Sequence, residues 1–191
     1  MENIKMQHFY ENIQGWFDYP DLYKYYINNA KDNFKSIEIG VYKGRSTAFM
    51  GVEIINSNKK LTHYALDHFY GNNEHREEGN PNYTPEAIDG TLCNLFLKNI
   101  EPVKDVIVPI NKDSREAHKD FENNFFDLIF IDGHHGYEEC LTDMKLWYPK
   151  LKKNGIFAGH DLWTESVQRA VYEFLNRDFT NFSGCWFHIK K

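Results

Sequence analysis

Three stretches of this chain combine residue types that do chemistry. The first is Ile131–Asp132–Gly133–His134–His135–Gly136–Tyr137, followed by Asp143. The second is Gly159–His160–Asp161. The third is Glu38–Ile39–Gly40–Val41–Tyr42–Lys43–Gly44–Arg45–Ser46–Thr47, with Asp67 beyond it. Carboxylates brought close together repel unless a proton or a cation lies between them. A hard divalent ion suits oxygen ligands of that kind. A histidine titrates near neutrality and can take a proton from a hydroxyl. Glycines let a backbone approach a ligand closely, and a helix N-terminus offers free N–H groups. The glycine spacing is E-x-G-x-x-x-G, neither the G-x-G-x-x-G of dinucleotide binding nor a P-loop, so NAD binding is not expected.

These stretches need elements to position them. Ser36 to Ile39 reads as a strand ending at Gly40, and Ala48, Val52 and Ile55 stripe a helix after the turn. Leu61 to Leu66 is a second strand ending at Asp67, about 20 residues past the turn, where an acid accepts hydrogen bonds from ribose hydroxyls. Residues 68–83 are polar, without period, and read as a long functional loop. Thr84–Pro85 starts a helix striped by Ile88, Leu92, Leu95, Phe96 and Ile100. Val106 to Ile110 is a third strand, and Ser114 to Asn123 a short helix. Phe126 to Ile131 is nearly all apolar, as a strand covered on both faces should be. A helix striped by Tyr137, Cys140, Leu141, Met144 and Trp147 follows, then a fifth strand from Gly155 to Ala158. Val167, Ala170, Val171, Phe174 and Leu175 mark another helix, and the tail reads as two short strands around Ser183–Gly184. Before the first strand, Glu2 to Gln14 has weak helical character. A helix with Leu22, Tyr25 and Tyr26 follows Pro20, with Asp18 or Asp21 as its cap.

Strands alternating with helices imply an α/β fold: a Rossmann-like, doubly wound, mostly parallel seven-stranded sheet with helices on both faces. Ligands bind such sheets at the carboxyl ends of the strands, near the switch in strand order. If the strands before Asp132 and Asp161 are neighbours, their axes lie about 4.8 Å apart and the two acids face each other. The plainer reading has both aspartates capping the following helices. The expected division is an N-terminal helical segment and cover at 1–35, and a ligand-binding domain at 36–191. Trp16–Phe17 and residues 69–83 would cover the site.

The 191 residues suit one domain, and the net charge of −6 offers no footprint for nucleic acid or an anionic membrane. Three widely spaced cysteines without C-x-x-C argue against a disulfide framework or zinc ribbon, and for a reduced, cytoplasmic setting. The N-terminus lacks a signal-peptide core, and no apolar run approaches the roughly 18 residues of a membrane span.

Taken together, the EIGVYKGRST turn, the IDGHHGYEECLTDMKLWYPKL run and the GIFAGHD strand end resemble a class I S-adenosylmethionine-dependent methyltransferase. More narrowly, they resemble the subfamily of macrocin-type sugar O-methyltransferases and cephalosporin-hydroxylase-like proteins, over about residues 36–175. The resemblance implies that Glu38, Gly40, Gly44 and Ser46 meet the methionine and ribose end of S-adenosylmethionine, and Asp67 the ribose diol. Asp113 and Ser114 would meet the adenine. Asp132 would adjoin the cofactor and, with Asp161, bind a divalent metal, while His135 would be the general base. His160 stands where those relatives carry an acidic residue, which shifts the ion from Mg²⁺ toward one that accepts imidazole, such as Mn²⁺. The implied reaction is O-methylation of a small polar acceptor such as a sugar or glycosylated metabolite, by a protein that is a candidate homodimer. The alternatives are metal-independent N- or carboxyl methylation, and cofactor binding without catalysis.

Overall fold

The computed structural model describes residues 5–191. Seven strands form one sheet in the order β3-β2-β1-β4-β5-β7-β6. They are β1 (Lys35–Ile39), β2 (Thr62–Asp67), β3 (Ile107–Asn111), β4 (Phe126–Ile131), β5 (Leu151–Gly159), β6 (Thr180–Phe182) and β7 (Cys185–Ile189). The first five pair in parallel, and β7 runs antiparallel to both β5 and β6. The order reverses between β1 and β4, so their carboxyl ends bound the crevice where such sheets bind ligands. β4 carries the apolar run expected of a central strand, and five of its six residues are buried. It pairs with β5 through Ile131↔Gly159, which brings the residues after both strands together.

The helices are α1 (Pro20–Asn29), α2 (Arg45–Ser57), α3 (Asn73–Arg76), α4 (Pro85–Asp89), α5 (Leu92–Ile100), α6 (Ser114–Ala117), α7 (Tyr137–Trp147) and α8 (Glu165–Leu175). Three apolar clusters hold them to the sheet. One joins α7 and α8 to β4 and β5 around Trp147, Phe157 and Trp186. The second joins α1 and α2 around Tyr19, Tyr23 and Phe49, and the third centres on Phe96 and Val103. No helix among the described residues is long and apolar enough to cross a membrane.

Several local expectations change. Residues 5–14 hold only a 3-10 turn at Tyr10–Asn12 instead of a helix; residues 2–4 lie outside the described residues. This segment finds backbone partners on α2: Asn56 bonds Met6 at both its N–H and C=O, and Arg45 donates to the carbonyls of Ile13 and Gly15. Neither Asp18 nor Asp21 caps α1, which begins with Pro20 in its first turn. The single helix expected from residue 85 to 100 breaks at Gly90, which takes φ 79°, and Ile88 is left exposed. The long loop contains α3, closed by a reciprocal cap between Asn72 and His75.

Candidate active site

The carboxyl ends of β1, β2, β4 and β5 surround two adjoining cavities. The inner one, about 330 Å³, is lined by Gly40, Asp67, Asp113, Ser114, Asp132 and Asp143, among others. The outer one, about 660 Å³, takes in Trp16, Asp18, His135, His160, Asp161 and Trp163. Both volumes are of the size that holds a small molecule. They share Gly40, Tyr42, Asn72, His75, Asp132 and Gly133, so a ligand in one abuts a ligand in the other.

The turn after β1 is shaped by close approach. Gly40 has φ 93°, and a Cβ there would lie 2.3 Å from the carbonyl oxygen of Asp132. Only glycine lets β1 and β4 come this near at the switch point. Asp67, at the end of β2, accepts from the N–H groups of Val41 and Tyr42 at 3.0 and 2.9 Å, and from Phe69 at 2.8 Å. Its carboxylate therefore braces the glycine turn as well as facing the inner cavity.

Glu38 and Gly44 depart from expectation, since neither lines a cavity. Glu38 is fully buried, because its carboxylate accepts from Ser46 at 2.5 Å and Thr47 at 3.3 Å and lies 3.5 Å from buried His63. It ties the end of β1 to the first turn of α2. Gly44 lies under Phe96 and Ile100. Ser46 lines the outer cavity rather than the inner one, with its hydroxyl committed to Glu38.

At the far end of the inner cavity Asp113 caps α6 and pairs with Arg115 at 2.6 Å, which holds its carboxyl down to about 2. Ser114 donates to Asp143 at 2.6 Å. Burial pushes Asp143 up from 3.8 to about 6, although the Ser114 bond pulls the other way. A folded-state pKa above the unfolded one means that the folded chain keeps a proton the unfolded chain has lost between about pH 4 and 6. Asp143 thus costs no stability at the acid end of that window and destabilises the fold progressively as pH rises through it, by roughly 3 kcal/mol. Urea unfolding of Asp143→Asn should gain on the parent protein steadily from pH 4 to 7. A difference that is flat with pH would contradict this.

The outer cavity gathers the titratable groups. His160 is buried, with Nδ1 3.6 Å from Asp132 Oδ1 and 3.4 Å from Asp161 Oδ2. Its Nε2 meets Asp18 Oδ1 at 3.0 Å. Burial opposes its charge, but Asp132 and Asp161 outweigh burial and raise its pKa to about 10. His135 Nε2 lies 2.9 Å from Asp161 Oδ2, and this bond raises the His135 pKa despite partial burial. Burial works against the Asp161 charge too, yet His135 and His160 hold that carboxyl below its ordinary range. Asp161 sits at φ 59°, in the left-handed region that aspartate tolerates.

Asp132 and Asp161 do not cap helices: α7 and α8 begin after Gly136 and Thr164 without side-chain caps. His134 instead bonds locally: its Nδ1 accepts from the N–H of Gly136. Ligand atoms of Asp132, His160 and Asp161 all lie within 4.8 Å of one another. The 3.6 and 3.4 Å from His160 Nδ1 to the two carboxylate oxygens lie within the roughly 4.4 Å that two donors on one ion with bonds of about 2.0–2.2 Å can span. Asp18 on the outer ring nitrogen is the kind of partner that orients a metal-binding imidazole. The donor set therefore fits a divalent ion.

Sequence reasoning missed Tyr19, buried just before α1, which donates to Asp132 Oδ2 at 2.6 Å. It also missed Tyr42 and Trp163 as cavity walls. No local pattern marks Tyr19, because its partner lies 113 residues away.

A family profile described as a methyltransferase domain matches residues 37–162. No curated protein matches the sequence. Among solved structures, the O-methyltransferase NovP is similar with 14% identity and TM-score 0.65, over 90% of this chain and 79% of that one. The SAH-bound methyltransferase PaMTH1 of Podospora anserina gives 15% identity and TM-score 0.62, over 90% of this chain and 78% of that one. The MycE methyltransferase of the mycinamycin biosynthetic pathway, in complex with Mg and SAH, gives 15% identity and TM-score 0.54. That match covers 91% of this chain and 48% of that one, so this chain spans about half the length of MycE. At these identities the likeness is one of fold.

Proposed function

The chain belongs to the methyltransferase domain family, as an S-adenosylmethionine-dependent methyltransferase, and we propose that it methylates a hydroxyl oxygen of a small polar acceptor. The observation that carries this reading is the pair of adjoining cavities, with His135 and Asp161 in the outer one. In this reading S-adenosylmethionine takes the inner cavity and the acceptor takes the outer. When bound, the sulfonium supplies an electrophilic methyl carbon, whose bond to sulfur breaks as the bond to the acceptor oxygen forms.

The residues divide the work. Asp67 receives the ribose diol, while Asp113, Ser114 and Asp143 surround the adenine. Asp161 engages His135 through Nε2 and leaves Nδ1 to take the hydroxyl proton, so the imidazole is held in one orientation. Asp132, His160 and Asp161 would hold a divalent ion, whose chemistry would be to lower the acceptor's pKa and orient it. Trp16, Phe17 and residues 69–83 act as the cover, and the remaining rate enhancement is alignment of the two ligands.

A second reading, methyl transfer without metal, is favoured by one observation. A protonated His160 already places a positive charge between Asp132 and Asp161. A chelator titration on a verified acceptor separates the two, since only the metal-assisted enzyme loses turnover and regains it with Mn²⁺ or Mg²⁺.

The reading is tested first at the cofactor. Calorimetry with S-adenosylhomocysteine should show binding, and Asp67→Ala should weaken it by about 1.5 kcal/mol or more through loss of charge-assisted hydrogen bonds. Unchanged affinity would remove Asp67 from the ribose.

A further inference from the structure

We propose that the acceptor carries a positive charge, an ammonium group beside the hydroxyl that is methylated. The proposal rests on the methyl-transfer reading of the outer cavity and adds the chemical class of what enters it. Four carboxylates face this cavity: Asp18, Glu74, Asp132 and Asp161. Arg45 is the arginine of the lining, but its guanidinium donates to the backbone carbonyls of Ile13 and Gly15 at 3.2 and 3.1 Å. It is thus occupied in holding the N-terminal segment.

Histidines answer the inner pair of acids, and a shared divalent ion would answer them as well. The two outer acids are different. Glu74, on α3, receives only the amide of Asn82, at 3.0 Å, among the described residues. Asp18 meets His160 through one oxygen while its side chain stays 63% exposed. A concave, acid-lined cleft with low-dielectric walls concentrates cations.

The walls supply a second, independent feature. Trp16 and Trp163 both line the cavity, yet remain 63% and 59% exposed. Trp163 is seated on Gly184, where a Cβ would come within 1.7 Å of the indole, and its ring stands perpendicular to that of His160 with centroids 4.6 Å apart. Trp16 lies 6.2 Å from the Tyr42 ring. Exposed indoles beside carboxylates in a cavity wall are surroundings in which an alkylammonium is held, through its attraction to a ring face. A neutral polyol would use the rings but leave Glu74 without an opposite charge.

The experiment uses the full chain saturated with S-adenosylhomocysteine, titrated by calorimetry with choline and with 3,3-dimethylbutan-1-ol. The two share shape and hydroxyl and differ in charge. Choline should bind about tenfold tighter or better, and the preference should shrink in Glu74→Gln, in Trp163→Ala and at high salt. Equal binding, tighter binding of the alcohol, or no binding of either overturns the proposal. So does a preference seen with chelator but abolished by Mg²⁺, because the carboxylates would then serve the ion. Failure of S-adenosylhomocysteine to load overturns the methyl-transfer reading as well, whereas loaded protein indifferent to charge overturns this proposal alone.

Discussion

Replacing His135 with alanine is expected to lower kcat by about a hundredfold or more, with S-adenosylhomocysteine affinity nearly unchanged. His135 lies in the wall of the outer cavity, and Asp161 holds its Nε2 at 2.9 Å, so the other ring nitrogen is free to receive a proton. A hydroxyl is a poor nucleophile until its proton leaves, so loss of the base falls on the chemical step. His134 is the internal control, because its Nδ1 is taken by the N–H of Gly136 and it stands outside the outer cavity. His134→Ala should change kcat only a few-fold. The pH profile adds a second reading. The bond to Asp161 raises the His135 pKa above 6.5, so activity should rise with pH through a limb above the ordinary histidine value. Asp161→Asn removes the charge that causes the shift and should move that limb down. Full turnover by His135→Ala on a verified acceptor would place the base elsewhere.

Gly40→Ala is expected to cost about 3 kcal/mol or more of folding stability and to abolish measurable cofactor binding. A Cβ there would lie 2.3 Å from the Asp132 carbonyl oxygen and 2.6 Å from the Gly133 Cα, with φ at 93°. These neighbours are backbone, and Asp132 N–H is also bonded to the Ile39 carbonyl at 2.8 Å, so nothing flexible can yield. Relief would require β1 and β4 to part where the two cavities meet. Gly79 separates the causes: its φ is 92°, but a Cβ there would meet nothing within 4 Å. Gly79→Ala should cost only the backbone preference, about 1–2 kcal/mol. Urea midpoints for the two variants measure the difference, and equal losses would refute the clash.

Much of this protein is written locally. The alternation of apolar strands with striped helices follows from the 2-residue and 3.6-residue periods, and those periods survive in any surroundings. Phe126–Ile131 reads as a strand covered on both faces, and it is β4. Gly40, Asp67, Asp132 and Asp161 stand at strand ends because strand formers give way there to residues that turn the chain. Once the strands run parallel, their carboxyl ends all lie along one edge. That is why the crevice could be located from sequence.

Which side chains meet inside the crevice was decided by tertiary structure alone. Glu38 and Asp67 are both acids at strand ends. Yet Glu38 turns inward to Ser46, Thr47 and His63, while Asp67 braces the turn and faces the inner cavity. Local sequence cannot separate them, because the direction of each side chain depends on what packs behind its strand. The pairing of β4 with β5 brought Asp161 to His135 and His160 to Asp132. The N-terminal segment gave up its weak helical tendency because Asn56 and Arg45 offered its backbone better partners. That course brought Asp18 to His160 and Tyr19 to Asp132, contacts 142 and 113 residues apart in the chain. Periodicity and turn chemistry act over a few residues, whereas these contacts arise only when β1, β4 and β5 lie side by side beneath α1.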